Sequence, residues 1–200
     1  MLEEDIRRAD EEEEPLVQKN YEGEVLCPDS SIKIELDHVT FKKCRFTACD
    51  FSGSMFYHVK FLNCDFSNCR FQSCYFKDTE ILGCKGDGGD FSQSTFRRTL
   101  IEEGCYHYAN YEGTLWDSCR LRGCDFCEAF LAEVKFKKVK FEKVNLSKTD
   151  FFKTKLDGID LSDSNIEGIM ISDSFRELYG LKISPWQAMD LVRFLGVKII

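Results

Sequence analysis

The sequence predicts an all-β solenoid, and three observations predict it. Counting in fives from Leu36 to Ile171 gives 28 positions, every one hydrophobic except Gly86. Two residues upstream, a second series from Ile34 to Ile169 is small or β-branched throughout. The other three positions hold most of the Lys, Arg, Asp, Glu, Ser and Asn. A period of five fits neither the ~3.6 of a helix nor the ~2 of a strand. A fixed repeat instead marks a coil whose units bury their apolar faces by stacking on neighbours. Two inward residues per unit, one large and one small, describe a short extended segment followed by a corner. The Asp, Asn, Ser and Gly around them are turn formers.

Several units nearly coincide: CDFSG from 49, CDFSN from 64, GDFSQ from 89, CDFCE from 124, VNLSK from 144 and IDLSD from 159. Over residues 34–173 the chain resembles the pentapeptide-repeat family, whose unit is small–Asp/Asn–Leu/Phe–polar–any. That resemblance implies a right-handed quadrilateral β-helix with four units in each coil. The 28 units then make about seven coils, a rod of roughly 34 Å at the ~4.8 Å spacing of neighbouring strands. Gly86 and Tyr106 become vertical neighbours. Either Tyr106 leans into the space Gly86 leaves, or a small void remains.

The ends depart from the repeat. Upstream of Leu36, Tyr21 and Leu26 stay in phase, but Lys19, Glu24 and Asp29 occupy the small slot. Residues 1–19 therefore read as a solvated acidic tail, frayed or helical, and 20–33 as an N-terminal cap. Residues 174–200 read as a C-terminal cap and dimerisation helix. Within GLKISPWQAMDLVRFLGVKII, residues 180–200, Ser184 suits a helix N-cap, Pro185 the first turn and Gly196 the stop. This predicts an eleven-residue helix. Its apolar residues Trp186, Met189, Val192, Phe194 and Leu195 form more surface than a lid needs, so a homodimer is expected. The plain alternative is a monomer with a packed cap.

The same tail is similar to that of the quinolone-resistance (Qnr-type) branch, at Leu181, Lys182, Trp186, Gln187, Ala188, Leu195 and Gly196. In that branch the tail makes the dimer, and the doubled rod binds DNA gyrase and topoisomerase IV in place of DNA. No insertion interrupts 36–171, so the resemblance is to members without inserted loops.

Little in the sequence points to chemistry. Eight of the eleven cysteines (44, 49, 64, 69, 74, 84, 119 and 124) occupy the small slot, where a buried thiol serves as a small hydrophobe. Cys27, Cys105 and Cys127 fall outside it and are the only candidates for thiol reactions. His38 and His58 share an outward slot in adjacent coils with Asp78 next in line. They could bind a metal or respond to pH, or be ordinary surface histidines. His107 stands alone. No glycine-rich phosphate loop or nucleophile elbow is present, so the expectation is a non-enzymatic protein without a cofactor or resident metal. The acidic start is not a secretory signal, and no apolar run reaches the ~18 residues of a membrane span. A cytoplasmic protein is expected.

The net charge is −8. Residues 1–34 contribute −7, 35–173 contribute −3 and 174–200 contribute +2. Sorting outward residues by side concentrates the acids of the rod. The side through Phe51 and Phe71 carries Asp50, Asp90, Glu112, Glu133, Asp150 and Asp173. Its neighbour through Phe46 and Phe66 carries Asp65, Asp125 and Glu128. These two sides total −6 and the opposite two +3. Duplex DNA of ~34 Å carries about 20 charges, about 10 of them facing a partner. The expected function is a DNA mimic that binds type II topoisomerase, without contacting nucleic acid or membrane itself, and modulates it or protects it from fluoroquinolones. The alternatives are a scaffold for another protein, through the acidic tail or the basic patch Lys135, Lys137, Lys138 and Lys140, or an immunity factor against a topoisomerase-targeting peptide.

Overall fold

The computed structural model describes residues 1–28 and 30–197; residues 29 and 198–200, within the expected N-terminal cap and C-terminal segment, lie outside the described residues. The period of five closes on itself every fourth unit. Leu36 pairs with Phe56 and Phe41 with Phe61 in parallel register. Bridges Arg45–Asp65 and Asp50–Arg70 repeat the same step on the remaining two sides. The chain is thus a four-sided β-solenoid, as expected. Side one, through Leu36, holds a seven-stranded parallel sheet from Leu16–Val17 to Lys135–Lys137. Side two, through Phe41, holds a second from Asn20–Glu22 to Lys140–Glu142. Sides three and four, through Phe46 and Phe51, are joined mainly by single-residue bridges.

Inside, the large residues form ladders. Phe56, Phe76, Phe96 and Trp116 stack with ring centroids 4.6, 4.7 and 4.5 Å apart. Phe71, Phe91 and Tyr111 follow at 5.0 and 4.8 Å. These distances repeat the inter-strand spacing, so one ring per coil fills the axis with little void. Gly86 interrupts the ladder on side three. A Cβ there would stand 2.7 Å from Phe66 and 2.8 Å from Tyr106. Tyr106 does lean into the Gly86 space, and its ring lies 6.5 Å from that of Phe66, two coils away.

The corner has a conformation of its own. From His38 to Gly158 the residue two places after each large one is left-handed, including Ala48, Asn63, Lys138, Lys143 and Lys148, with φ of 51, 52, 53, 53 and 55°. Val, Ile and Thr are absent from this position from His38 to Gly168, because β-branched side chains tolerate positive φ worst. Gly, Asn, Asp and unbranched residues remain.

The small slot also has a hydrogen-bonding role. Ser94 Oγ accepts the Cys74 N–H at 2.9 Å and donates to the Phe71 carbonyl at 2.6 Å. Thr154 does the same for Val134 and Leu131, at 2.8 and 2.5 Å. The eight slot cysteines each donate to the carbonyl of a large residue in the preceding coil, as Cys69 does to Phe46 at 3.3 Å. The slot therefore selects a small side chain that also satisfies backbone groups stranded at a corner.

Both ends correct the sequence expectation. Residues 1–19 are not a solvated tail: Leu2–Glu12 is a helix that buries Leu2, Ile6 and Ala9 against the first coil. Residues 20–33 are not the cap but part of that coil, since Tyr21 pairs with Phe41 and Leu26 with Phe46. Lys19 and Glu24 occupy its small slot because they face the helix rather than another coil. Glu24 accepts the Leu2 N–H at 2.6 Å, and Lys19 meets Asp5 at 3.3 Å. At the other end the eleven-residue helix is shorter, an α-helix at Ala188–Leu191 followed by a 3-10 turn at Val192–Leu195. Ser184 and Gln187 bond reciprocally, the Ser184 N–H to Oε1 at 2.7 Å and the Gln187 N–H to Oγ at 3.4 Å. Gln187 Nε2 donates to the Leu161 and Ser164 carbonyls, which ties the segment to the last coil. No helix among the described residues is long and apolar enough to cross a membrane.

Candidate partner-binding sides

The acids on sides three and four fall into two kinds. Asp50, Asp65, Asp90, Asp125 and Asp150 immediately precede a large inward residue. Each accepts the N–H two residues on, from Ser52, Ser67, Ser92, Cys127 and Phe152, at 2.8–3.1 Å. Asn110, Asn145 and Asn165 make the same bond. The side-chain oxygen, not the charge, thus braces the corner. Glu112, Glu128, Glu133 and Asp173 have no such duty.

Pairing divides them again. Asp50 meets Arg70 at 3.8 Å, Glu128 meets Lys148 at 3.2 Å and Glu133 meets Lys153 at 2.9 Å. Asp125 faces His107 at 3.0 Å. Burial alone would raise the Asp125 pKa, but His107 and the Cys127 N–H outweigh it and hold the carboxyl below its ordinary value. Asp65, Asp90, Glu112, Asp150 and Asp173 make no ion pair among the described residues. On sides one and two Asp78, Glu80, Glu102, Asp117 and Glu142 have cationic partners, Arg98 on Asp78 and Arg122 on Glu102 among them, and Asp37 lies against His38 and His58; Glu35, Glu103, Asp157, Asp160 and Asp163 make no ion pair among the described residues. Of the basic patch, Lys137 is paired with Asp117.

Exposed apolar side chains lie among the unpaired acids. Tyr108 is 58% exposed at the corner of side three, and Phe130, Phe152 and Met170 are 44, 42 and 49% exposed on side four. At the C-terminal end Trp186, Met189 and Leu195 face outward, whereas Val192 is half-buried. Phe194 packs on the core with its ring 6.2 Å from Phe175, so it serves the lid.

His38 and His58 stack as expected, whereas His107 has company. His38 and His58 stack with centroids 4.3 Å apart. Both Nδ1 atoms lie against Asp37 Oδ1, at 2.8 and 2.9 Å, while Asp78 is engaged mainly by Arg98. His107 does not stand alone: Asp87, Cys105 and Asp125 surround it. The Asp125 side chain raises its pKa above the ordinary value. Burial, then Asp87, pushes the Cys105 thiol up to about 11. Cys27 is exposed. The sequence signal missed here was the step of 20, which stacks Asp87 on His107 and Cys105 on Asp125.

Comparison with known proteins gives a consistent family. Residues 56–131 match the signature described as "Pentapeptide repeat region", and residues 34–72, 117–151 and 131–168 match "Pentapeptide repeats (8 copies)". No curated protein matches the chain. Two solved structures of trypsin-treated QnrB1, a plasmid-mediated fluoroquinolone resistance protein, are similar at 21% identity with TM-scores of 0.51 and 0.56. Each comparison covers 93% of this chain and 99% of the other.

Proposed function

We propose, for a chain that belongs to the pentapeptide-repeat family, a non-enzymatic binding function in which sides three and four engage the DNA-binding surface of a type II topoisomerase. The observation that carries this reading is one juxtaposition. Asp65, Asp90, Glu112, Asp150 and Asp173, without an ion pair among the described residues, share two sides with the exposed Tyr108, Phe130, Phe152 and Met170. Carboxylates steer a basic partner and set its orientation, and aromatic side chains supply the anchoring contacts of protein interfaces. The fold likeness to a fluoroquinolone resistance protein is in keeping with this partner. Two copies joined through Trp186, Met189 and Leu195 would double the length of acidic wall.

A supercoiling assay with purified gyrase tests the reading. The chain at micromolar concentration inhibits supercoiling or relieves its block by a fluoroquinolone; absence of both effects removes the proposal. A second reading, a scaffold for a different protein, is favoured by the same aromatic residues. Its sign is a non-topoisomerase protein retained from lysate by the wild type and lost with Phe130→Ala.

A further inference from the structure

On side three, around the break in the ring ladder, four chemically active side chains converge from three consecutive coils. One ligand atom from each of Asp87, Cys105 and His107 lies within 4.8 Å of the others. His107 Nε2 is 3.0 Å from Asp125 Oδ2, yet the contact lacks hydrogen-bond alignment and the nitrogen is buried without a hydrogen-bond partner. Such an orphan is uncommon in a folded protein. The surroundings are braced. The His107 N–H donates to Asp87 Oδ1 at 2.8 Å. Asp125 Oδ1 accepts from the Cys127 N–H and from Asn145 Nδ2, both at 2.9 Å, which leaves Oδ2 turned towards the imidazole.

We propose that Asp87, Cys105 and His107 form a binding site for a divalent cation of the zinc class, with Asp125 fixing the His107 ring. Thiolate sulfur, imidazole nitrogen and carboxylate oxygen together are the donor set that such borderline ions take. Because Asp125 Oδ2 stands against Nε2, the ligating nitrogen is Nδ1, and a carboxylate facing the other ring nitrogen is the usual means of orienting a ligating histidine. Bonds of about 2.0–2.3 Å place tetrahedral ligand atoms roughly 3.3–3.8 Å apart. Ligand atoms already within 4.8 Å of one another therefore need to close by no more than about 1.5 Å, within rotamer adjustment on rigid coils. Three protein ligands leave a fourth position for water. Binding releases the Cys105 proton to solvent and sets two negative ligand charges against the cation. The Asp37–His38–His58 group lacks this character, because both Nδ1 atoms already meet Asp37 Oδ1.

Cobalt(II) is the probe. Titrated into the reduced full-length chain, it produces a thiolate-to-cobalt charge-transfer absorption saturating at one ion per chain and abolished by equimolar zinc(II). The band disappears in Cys105→Ser and His107→Gln but persists in Cys27→Ser and Cys127→Ser. Zinc raises the melting temperature of the wild type and leaves that of Cys105→Ser unchanged, with circular dichroism confirming that both fold. Absence of the charge-transfer band in the wild type at millimolar cobalt overturns the assignment. So does a band of equal strength in Cys105→Ser, or one lost only in Cys127→Ser.

Discussion

Gly86→Ala tests the interior most sharply, because its cost comes from a single added atom meeting two rings. Gly86 does not have positive φ, so alanine is conformationally allowed and would by itself stabilise by about 0.4–1 kcal/mol through the unfolded chain. The added Cβ, however, meets Phe66 at 2.7 Å and Tyr106 at 2.8 Å, from opposite sides. Ordinary contact begins near 3.4 Å, so each ring must retreat by about 0.6 Å in a stack that offers no free direction. Overpacking of this kind costs about 1–3 kcal/mol, which lowers the melting temperature by roughly 2–12 °C in a chain of this size. Tyr106→Leu in the same background removes the ring from the Gly86 space and recovers most of the loss. Urea and thermal denaturation of the four members of this cycle give the coupling. Equal cost of Gly86→Ala with and without Tyr106 would refute the packing argument, as would no cost at all.

Three further outcomes follow from named contacts. Phe71→Ala removes a ring held between Phe51 at 5.4 Å and Phe91 at 5.0 Å and should cost about 3–5 kcal/mol. Phe130→Ala, on the outer wall, should cost well under that in the same denaturation series. Lys143 has φ of 53°, so Lys143→Thr should destabilise by about 1–2 kcal/mol and Lys143→Gly should not; equal melting of the two variants would contradict the corner geometry. Glu177 is buried, which raises its pKa, but bonds from the Lys153 N–H at 2.8 Å and Ser172 Oγ at 2.9 Å help to hold it below the ordinary 4.5. A depressed carboxyl contributes its stability above the unfolded pKa and loses it as pH falls through the folded one. Hydrogen-exchange protection around 172–178, relative to the intrinsic rate, should therefore fall below about pH 4, and Glu177→Gln should abolish that loss of protection.

The interior was legible from sequence because its physics is local and repeated. One large residue in five must face the axis, and a single slip would expose every later one, so the spacing from Leu36 to Ile171 reveals both inward series. The slot cysteines were legible as volume but not as donors, since their carbonyl partners lie about 23 residues back in the coil below. The corner was readable and missed: its sign is the absence of Val, Ile and Thr two places after each large residue. The N-terminal helix had a signal too, Leu2, Ile6 and Ala9 at helical spacing, masked by the acids around them. The candidate sides were only half legible. Sequence located Asp50, Asp90 and Asp150 on one wall without showing that each braces its own corner through the N–H two residues on, and the pairing of Glu128 and Glu133 depends on neighbours one coil away. That distinction decides how the wall should be altered: Asp→Asn keeps the bracing oxygen, as Asn110 and Asn145 show, and removes only charge.

Competition for gyrase between this chain and labelled duplex DNA, followed by fluorescence anisotropy, tests the acidic-wall reading most directly. The wild type should displace the duplex. A variant carrying Asp65→Asn, Asp90→Asn, Glu112→Gln, Asp150→Asn and Asp173→Asn should melt as the wild type does and compete at least about tenfold more weakly, a loss of about 1.4 kcal/mol. Undiminished competition by that variant, or no displacement by the wild type, would contradict the account.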